Sequence, residues 1–182
     1  MEIIKQYNDG ITVLKLQSFS DSRGYFFETY KKEKYAELGI TASFVQDNIS
    51  KSAKNTLRGL HYQIPPRAQG KLCQVLAGTA LDVAVDIRRN SPDYGKVFYT
   101  ELSEENKYQI YIPPGFAHGF VALTDGVIFS YKCTDIYSKI HERTILFNDP
   151  RLDIDWRTES PLVSDKDLQG VLFKDAEVDF QW

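Results

Sequence analysis

Residues 80–88 read Ala80-Leu81-Asp82-Val83-Ala84-Val85-Asp86-Ile87-Arg88, and the larger apolar side chains in this stretch occupy the odd positions. A repeat of two is typical of a β-strand. Residues 108–112 alternate in the same way, and residues 127–133 are rich in strand-forming side chains. Turn-forming segments separate such runs at residues 65–66, 77–78, 90–93, 113–115 and 124–126. Many short strands at this spacing predict a β-sandwich or a β-barrel.

Segments with helical character are few and short. Residues 31–39 suit a short helix that ends at Gly39, and residues 103–106 suit a single turn. Ser164 is placed to cap a short helix over residues 164–168, because a serine hydroxyl accepts a hydrogen bond from a free backbone amide at a helix start. The sequence therefore predicts a mainly β protein with a few short helices.

Length and charge narrow the class of protein. The chain has 182 residues, which suits one domain spanning residues 1–182. Its 22 basic and 25 acidic residues are mixed along the chain, which argues against a nucleic-acid partner or a basic membrane patch. Cys73 and Cys133 lie in apolar runs and suit buried thiols in a reducing compartment. With no segment near the roughly 18 apolar residues of a membrane span, we expect a cytoplasmic protein.

Three residues of the β-rich middle could carry acid–base chemistry. His61 offers an imidazole, and Lys71 opens a strand ten residues later. If both point into a barrel, a base and a cation share one pocket, as removal of a proton next to a carbonyl requires. Tyr131, on a strand face with Val127 and Phe129, is a candidate acid. Taken singly, a strand histidine is more often structural, and Tyr131 is more often part of a core.

Other chemistries have weaker support in the sequence. Metal-binding β-barrels often use a His-x-His pair, but Gln63 stands two residues after His61, and His118 in a Pro-Pro-Gly-Phe-Ala-His segment is only one ligand. The chain lacks a Gly-x-Ser-x-Gly elbow, a Walker loop and a Gly-x-Gly-x-x-Gly loop. We therefore expect neither a bound metal nor a nucleotide or nicotinamide cofactor.

Eight blocks of the sequence resemble, in order, the dTDP-4-dehydrorhamnose 3,5-epimerase family of the cupin superfamily. They are DSRGYFFE (21–28), VQDNIS (45–50), LRGLHYQ (57–63), GKL (70–72), DVAVDIR (82–88), IPPGFAHGF (112–120), YKCT (131–134) and NDP (148–150). The resemblance implies a cupin-type jelly-roll β-barrel and a homodimer. It also implies cofactor-free conversion of dTDP-4-keto-6-deoxy-glucose to dTDP-4-keto-rhamnose through an enolate, in dTDP-rhamnose biosynthesis.

The resemblance also implies roles for single residues. His61 matches the family's base, Lys71 its oxyanion stabiliser and Tyr131 its acid. Asp167 matches the carboxylate that orients the base, although Asp165 lies close to it in the sequence.

A second set of positions matches the part of the family's site that binds the dTDP-sugar. Arg23 and Glu28 match residues that reach the ligand of the neighbouring subunit. The remaining matches line the sugar and the diphosphate, and they are Gln46, Asn48, Arg58 and His118.

Some positions depart from the family pattern, and they concern the C-terminal wall of the pocket. Phe147 stands where tryptophan is frequent, Thr144 where glycine is frequent, and Leu168 where arginine is usual.

Three alternatives for the function stay open from the sequence. The chain could invert one carbon only or act on another keto-deoxy sugar nucleotide, it could bind a sugar without catalysis, or it could be a metal-dependent cupin enzyme.

Overall fold

The structure is a computed structural model that describes residues 1–7 and 10–181. Its strands are β1 (Glu2–Gln6), β2 (Thr12–Lys15), β3 (Ser18–Asp21), β4 (Gly24–Phe27), β5 (Gln46–Ser52), β6 (Thr56–Gln63), β7 (Lys71–Ala77), β8 (Thr79–Asp86), β9 (Val97–Ser103), β10 (Tyr108–Ile112), β11 (Phe116–Ala122), β12 (Val127–Cys133), β13 (Glu142–Thr144) and β14 (Leu162–Val163). The helices are α1 (Lys32–Glu37), α2 (Asp165–Leu168) and a 3₁₀ helix (Phe173–Asp175). Among the residues described, no helix has the length and apolar character that a membrane span requires.

Two larger sheets and one hairpin contain these strands. The first sheet has the order β1-β2-β10-β7-β12-β5, and the second has the order β13-β6-β11-β8-β9 with β14 beside β6. Strands β3 and β4 form a separate antiparallel hairpin. Only the β14–β6 pair is parallel among the strand pairs described. The predicted mainly β fold, a cupin-type jelly-roll barrel, is confirmed.

The core is divided by the two sheets. One cluster contains inward-facing residues of both sheets, including Val75, Ala84 and Phe129. A second cluster covers the other face of the second sheet, where Trp156 and other residues of the C-terminal segment pack. Helix α1 covers part of the first sheet through the buried Tyr35.

In strand β8, the alternation of residues 80–88 places the odd and the even side chains on opposite faces of the sheet. Its odd residues Leu81, Val83 and Val85 belong to the cluster under the C-terminal segment. Its even face turns toward the barrel interior, because successive side chains of a strand point to opposite faces. Asp82, on this even face, is fully buried. Both faces of β8 are therefore covered, and a carboxylate stands inside the barrel.

Candidate active site

His61 and Asp167 form a close pair at one end of the barrel. His61 lies on β6, and its Nε2 is 2.7 Å from Oδ1 of Asp167. The second oxygen of Asp167, Oδ2, accepts a hydrogen bond from the Gly59 amide at 3.3 Å. Ser164 caps α2 as predicted, because its Oγ accepts a hydrogen bond from the Asp167 amide at 3.2 Å. Asp165, the other candidate, is exposed. The structure thus places Asp167 against the imidazole.

The charge of Asp167 settles the tautomer of His61. Burial alone would raise the pKa of Asp167, but the hydrogen bonds from His61 and Gly59 outweigh it and hold the pKa below its usual value. An ionised carboxylate accepts hydrogen bonds and does not donate them. His61 therefore donates its Nε2–H to Asp167, and Nδ1 keeps the lone pair that can take a proton.

Gly59 allows strands β6 and β11 to approach each other closely. Its φ is +141°, and a Cβ at this position would lie 2.6 Å from Cα of Gly119 on β11. Any side chain would therefore push the two strands apart. The same pair of strands places His61 opposite His118 in register. The glycine in the Leu57–Gln63 block thus serves strand approach and also donates its amide to Asp167.

Lys71 and Tyr131 line the same cavity as His61, which has a volume of about 370 Å³. Lys71 begins β7 and pairs with Cys133 of β12, while Tyr131 of β12 pairs with Cys73. Burial raises the pKa of Tyr131 to about 12, and the neighbouring cysteines add to the shift. Tyr131 therefore carries its phenolic proton at neutral pH. The fold brings together all three residues predicted to carry the chemistry.

His118 lies on the cavity wall and is held from inside the barrel. Its Nε2 is 2.8 Å from Oδ2 of the fully buried Asp82. Burial lowers the pKa of His118, and the positive charges of Lys71 and His61 add to this effect, whereas Asp82 opposes it. The balance favours a neutral imidazole.

Three further predicted residues lie at or next to the cavity. Arg58 lines it, and its Nε donates a hydrogen bond to Ser52 Oγ at 3.3 Å. Gln46 and Asn48 on β5 line an adjoining space of about 80 Å³ that shares His61, Lys71 and Tyr131 with the main cavity. The amide of Gln46 donates to Asn48 Oδ1 at 3.0 Å. These polar side chains extend the site along the first sheet.

Arg23 and Glu28 do not line this cavity. Arg23 sits at the turn of the β3–β4 hairpin with 88% of its side chain exposed, and its Nη2 is 2.6 Å from Asp21 Oδ2. Glu28 follows β4 and pairs with Lys34 at 2.8 Å. Their expected contact with the ligand of a neighbouring subunit stays a prediction.

The cavity mouth holds three polar residues that the sequence did not point out. Lys166 Nζ lies 2.6 Å from Glu142 Oε1, and the Tyr137 hydroxyl donates to Glu142 Oε2 at 3.0 Å. Glu142 starts β13, and Lys166 precedes Asp167 in α2. Lys166 and Glu142 are far apart in sequence and meet because β13 pairs with β6 and α2 packs beside β6, whereas Tyr137 is only five residues from Glu142. No local motif marked these residues, and the position of Lys166 beside Asp167 was the one usable signal.

A cavity with an oriented base, a lysine and a proton-bearing tyrosine can move protons at a carbon next to a carbonyl. The base removes the proton, and the cation stabilises the oxyanion that forms. The phenol can return a proton.

Comparison with known proteins agrees with this chemistry. A family model described as dTDP-4-dehydrorhamnose 3,5-epimerase matches residues 6–175. The dTDP-4-dehydrorhamnose 3,5-epimerase of Pseudomonas aeruginosa is 53% identical over 87% of this chain and 88% of its own length. The enzyme of the same name from Shigella flexneri is 47% identical over 97% of this chain and 98% of its own.

A solved structure shows the same fold. It is a dTDP-6-deoxy-D-glucose-3,5-epimerase from Legionella pneumophila in complex with dTDP-4-keto-L-rhamnose, 46% identical, covering 97% of this chain and 94% of that chain with a TM-score of 0.92. Sequence, fold and family model agree over nearly the whole length. The chain belongs to the dTDP-4-dehydrorhamnose 3,5-epimerase family.

Proposed function

We propose that this protein inverts carbons 3 and 5 of dTDP-4-keto-6-deoxy-glucose and produces dTDP-4-keto-rhamnose, a step of dTDP-rhamnose biosynthesis. The observation that carries the proposal is the His61–Asp167 pair, 2.7 Å apart, on the cavity that Lys71 and Tyr131 also line. The relatives at 47% and 53% identity bear the name of this activity.

The first step is removal of a proton next to the C4 ketone. His61 takes this proton at Nδ1, because Asp167 occupies Nε2. The C–H electron pair moves into the ring and the C4 oxygen becomes an enolate oxygen. Lys71 donates to this oxygen, which is worth most where burial excludes water.

The second step returns a proton to the other face of the same carbon. Tyr131 is our candidate donor, since its pKa of about 12 keeps it protonated until the enolate forms. Base, oxyanion donor and acid suffice for proton transfer at a carbon flanking a ketone. We therefore propose that the reaction proceeds without a cofactor or a catalytic metal.

The diphosphate and the sugar require donors around the cavity. Arg58 supplies a guanidinium, which matches phosphate oxygens in a fork. Gln46 and Asn48 add amide groups in the adjoining space, and His118 faces the sugar region from the barrel interior. The Legionella relative binds dTDP-4-keto-L-rhamnose, which supports a dTDP-sugar as the ligand here.

We further propose a homodimer in which the β3–β4 hairpin reaches the partner's cavity. The hairpin exposes Phe19, Tyr25 and Phe26 at 58%, 55% and 69%. Aromatic surface of this kind favours burial against another chain. Arg23 at its turn and Glu28 after it would then meet the nucleotide of the neighbouring subunit. The chain acts as one domain, in the cytoplasm, with no nucleic-acid or membrane partner.

Incubation with dTDP-4-keto-6-deoxy-glucose in deuterated water tests the proposal. We expect deuterium at carbons 3 and 5 of the product, as read by NMR. Deuterium at one carbon only would show that the enzyme inverts a single carbon, which is the nearest alternative function. No incorporation at either carbon, in protein that binds dTDP, would contradict epimerisation altogether.

A further inference from the structure

Cys73, Asp82 and His118 meet inside the barrel, although their strands β7, β8 and β11 belong to two sheets. Their donor atoms all lie within 4.8 Å of one another. Nε2 of His118 is 2.8 Å from Asp82 Oδ2 and 3.9 Å from Cys73 Sγ. All three residues are more than nine-tenths buried. The cluster is therefore compact and shielded from water.

One oxygen of this cluster lacks a hydrogen-bond partner among the residues described. Oδ1 of Asp82 is buried and accepts no hydrogen bond from any of them. Burial of an unpaired carboxylate oxygen is costly, and a bound cation is one of the arrangements that offsets the cost. This unpartnered oxygen is an observation separate from the spacing of the three donor atoms. It leaves the carboxylate whose Oδ2 contacts His118 with a free acceptor for a ligand.

The donor types select the ion. Thiolate sulfur, imidazole nitrogen and carboxylate oxygen together suit Zn²⁺ or Co²⁺ rather than Mg²⁺ or Ca²⁺. In a tetrahedral zinc site with bonds of about 2.0–2.3 Å, the donor atoms stand roughly 3.3–3.6 Å apart. The 2.8 Å and 3.9 Å separations lie on either side of this range, and no two of the three donor atoms are more than 4.8 Å apart. Side-chain rotations must therefore bring the donors to the tetrahedral spacing when the ion binds.

Charge both opposes and favours the ion. The Lys71 ammonium acts on Cys73 and His118 from nearby, and it repels a cation. A carboxylate and a thiolate together carry two negative charges, which balance a divalent ion. The thiol proton of Cys73 leaves to the solvent when the metal–sulfur bond forms.

We propose that Cys73, Asp82 and His118 form a site for a thiophilic divalent cation such as Zn²⁺, and that this ion inhibits the enzyme. The ion enters through the cavity that His118 lines. Once bound, it fixes His118 in the barrel interior and cancels the negative charge of Asp82 near Lys71. The inhibition rests on the proposed function, whereas the binding does not.

Co²⁺ is the probe for binding, because cobalt–thiolate bonds absorb in the near ultraviolet. Chelator-treated full-length protein is titrated with Co²⁺ as wild type, Cys73→Val and Cys133→Ser. The last is the matched control, since Cys133 is the other buried free cysteine. We expect a charge-transfer band that saturates at one ion per chain, is displaced by Zn²⁺, persists in Cys133→Ser and disappears in Cys73→Val.

Thermal melting of each variant without metal shows that it is folded, and Cys73→Ala replaces Cys73→Val if the latter melts early. No band in the wild type, a band that persists in the Cys73 variant, or a band lost in Cys133→Ser overturns the site. In turnover assays, Cys73→Val should raise the Zn²⁺ concentration for half-inhibition at least about tenfold. Loss of a residue that only hydrogen-bonds a metal ligand already lowers metal affinity about 10- to 100-fold, and Cys73 would be a ligand itself. Equal inhibition of both proteins contradicts inhibition from this site.

Discussion

Nε2 of His61 lies 2.7 Å from Oδ1 of Asp167, although 106 residues separate the two in the chain. Strand β6 presents the histidine, and helix α2, capped by Ser164, presents the aspartate. The Gly59 amide holds the second carboxylate oxygen. This relationship leaves Nδ1 of His61 as the nitrogen with the free lone pair, and the proposed mechanism depends on it.

Asp167→Asn should lower kcat about 10²-fold or more, because an amide holds the imidazole without charge and favours the wrong tautomer. Deuterium exchange into the substrate measures the loss. Asp165→Asn is the matched control, since Asp165 is exposed on the same short helix, and it should exchange like the wild type. Equal rates in the two variants would remove Asp167 from the mechanism.

Tyr131→Phe should impair product formation more than the first proton exchange, because the acid acts after the enolate has formed. NMR compares deuterium wash-in with inversion. Because burial raises the pKa of Tyr131 to about 12, its proton stays in place as the pH rises to 10. The ratio of wild-type to Tyr131→Phe turnover should therefore stay flat from pH 7 to 10. A ratio that falls within this range, or equal losses in wash-in and inversion, would speak against Tyr131 as the acid.

Active sites shared between subunits can be tested with mixed dimers. Arg23→Ala should raise KM with less effect on kcat, since Arg23 would hold the nucleotide and not the reacting carbons. His61→Asn should abolish exchange at both carbons while dTDP still binds.

Heterodimers of these two variants should regain activity, because one of the two sites then has both residues intact. Activity in verified heterodimers no higher than that of the Arg23→Ala subunit alone would show that each site is built from one chain. Substantial turnover by His61→Asn itself would move the base elsewhere, with His118 next in line.

Much of the fold follows from local patterns. Alternation predicted the strands at residues 80–88 and 108–112, and strand-forming side chains predicted the strand at residues 127–133. The helix expected at residues 31–39 is observed as Lys32–Glu37. The burial of Asp82 did not follow, because a polar residue in an alternating strand normally faces water. Here both faces of β8 are covered, one by the opposite sheet and one by the C-terminal segment.

The site was predictable where residue type limits the choice. With three histidines in the chain, the block around His61 pointed to a base, and the resemblance supplied Asp167. The pair of Glu142 and Lys166 was not predicted, because the proximity of these two residues arises from the pairing of β13 with β6 and from the position of α2. Tyr137 was not predicted either, because no motif marks the segment before β13. The cluster of Cys73, Asp82 and His118 was not predicted from the sequence, because the three residues meet only when the two sheets face each other.

The enolate mechanism depends on Lys71, and Lys71→Ala tests it most directly. An oxyanion donor in a cavity that excludes water is worth about 10²–10³ in rate, roughly 3–4 kcal/mol. A solvated lysine at a strand end contributes almost nothing. The control is Lys51→Ala, because Lys51 is an exposed lysine on β5. We predict that Lys71→Ala loses at least about a hundredfold in the rate of deuterium exchange at carbons 3 and 5. The melting temperature of Lys71→Ala should stay close to that of the wild type. Lys51→Ala should exchange deuterium at nearly the wild-type rate. A loss below about fivefold in well-folded Lys71→Ala would contradict the account, because another group would then stabilise the charge on the C4 oxygen.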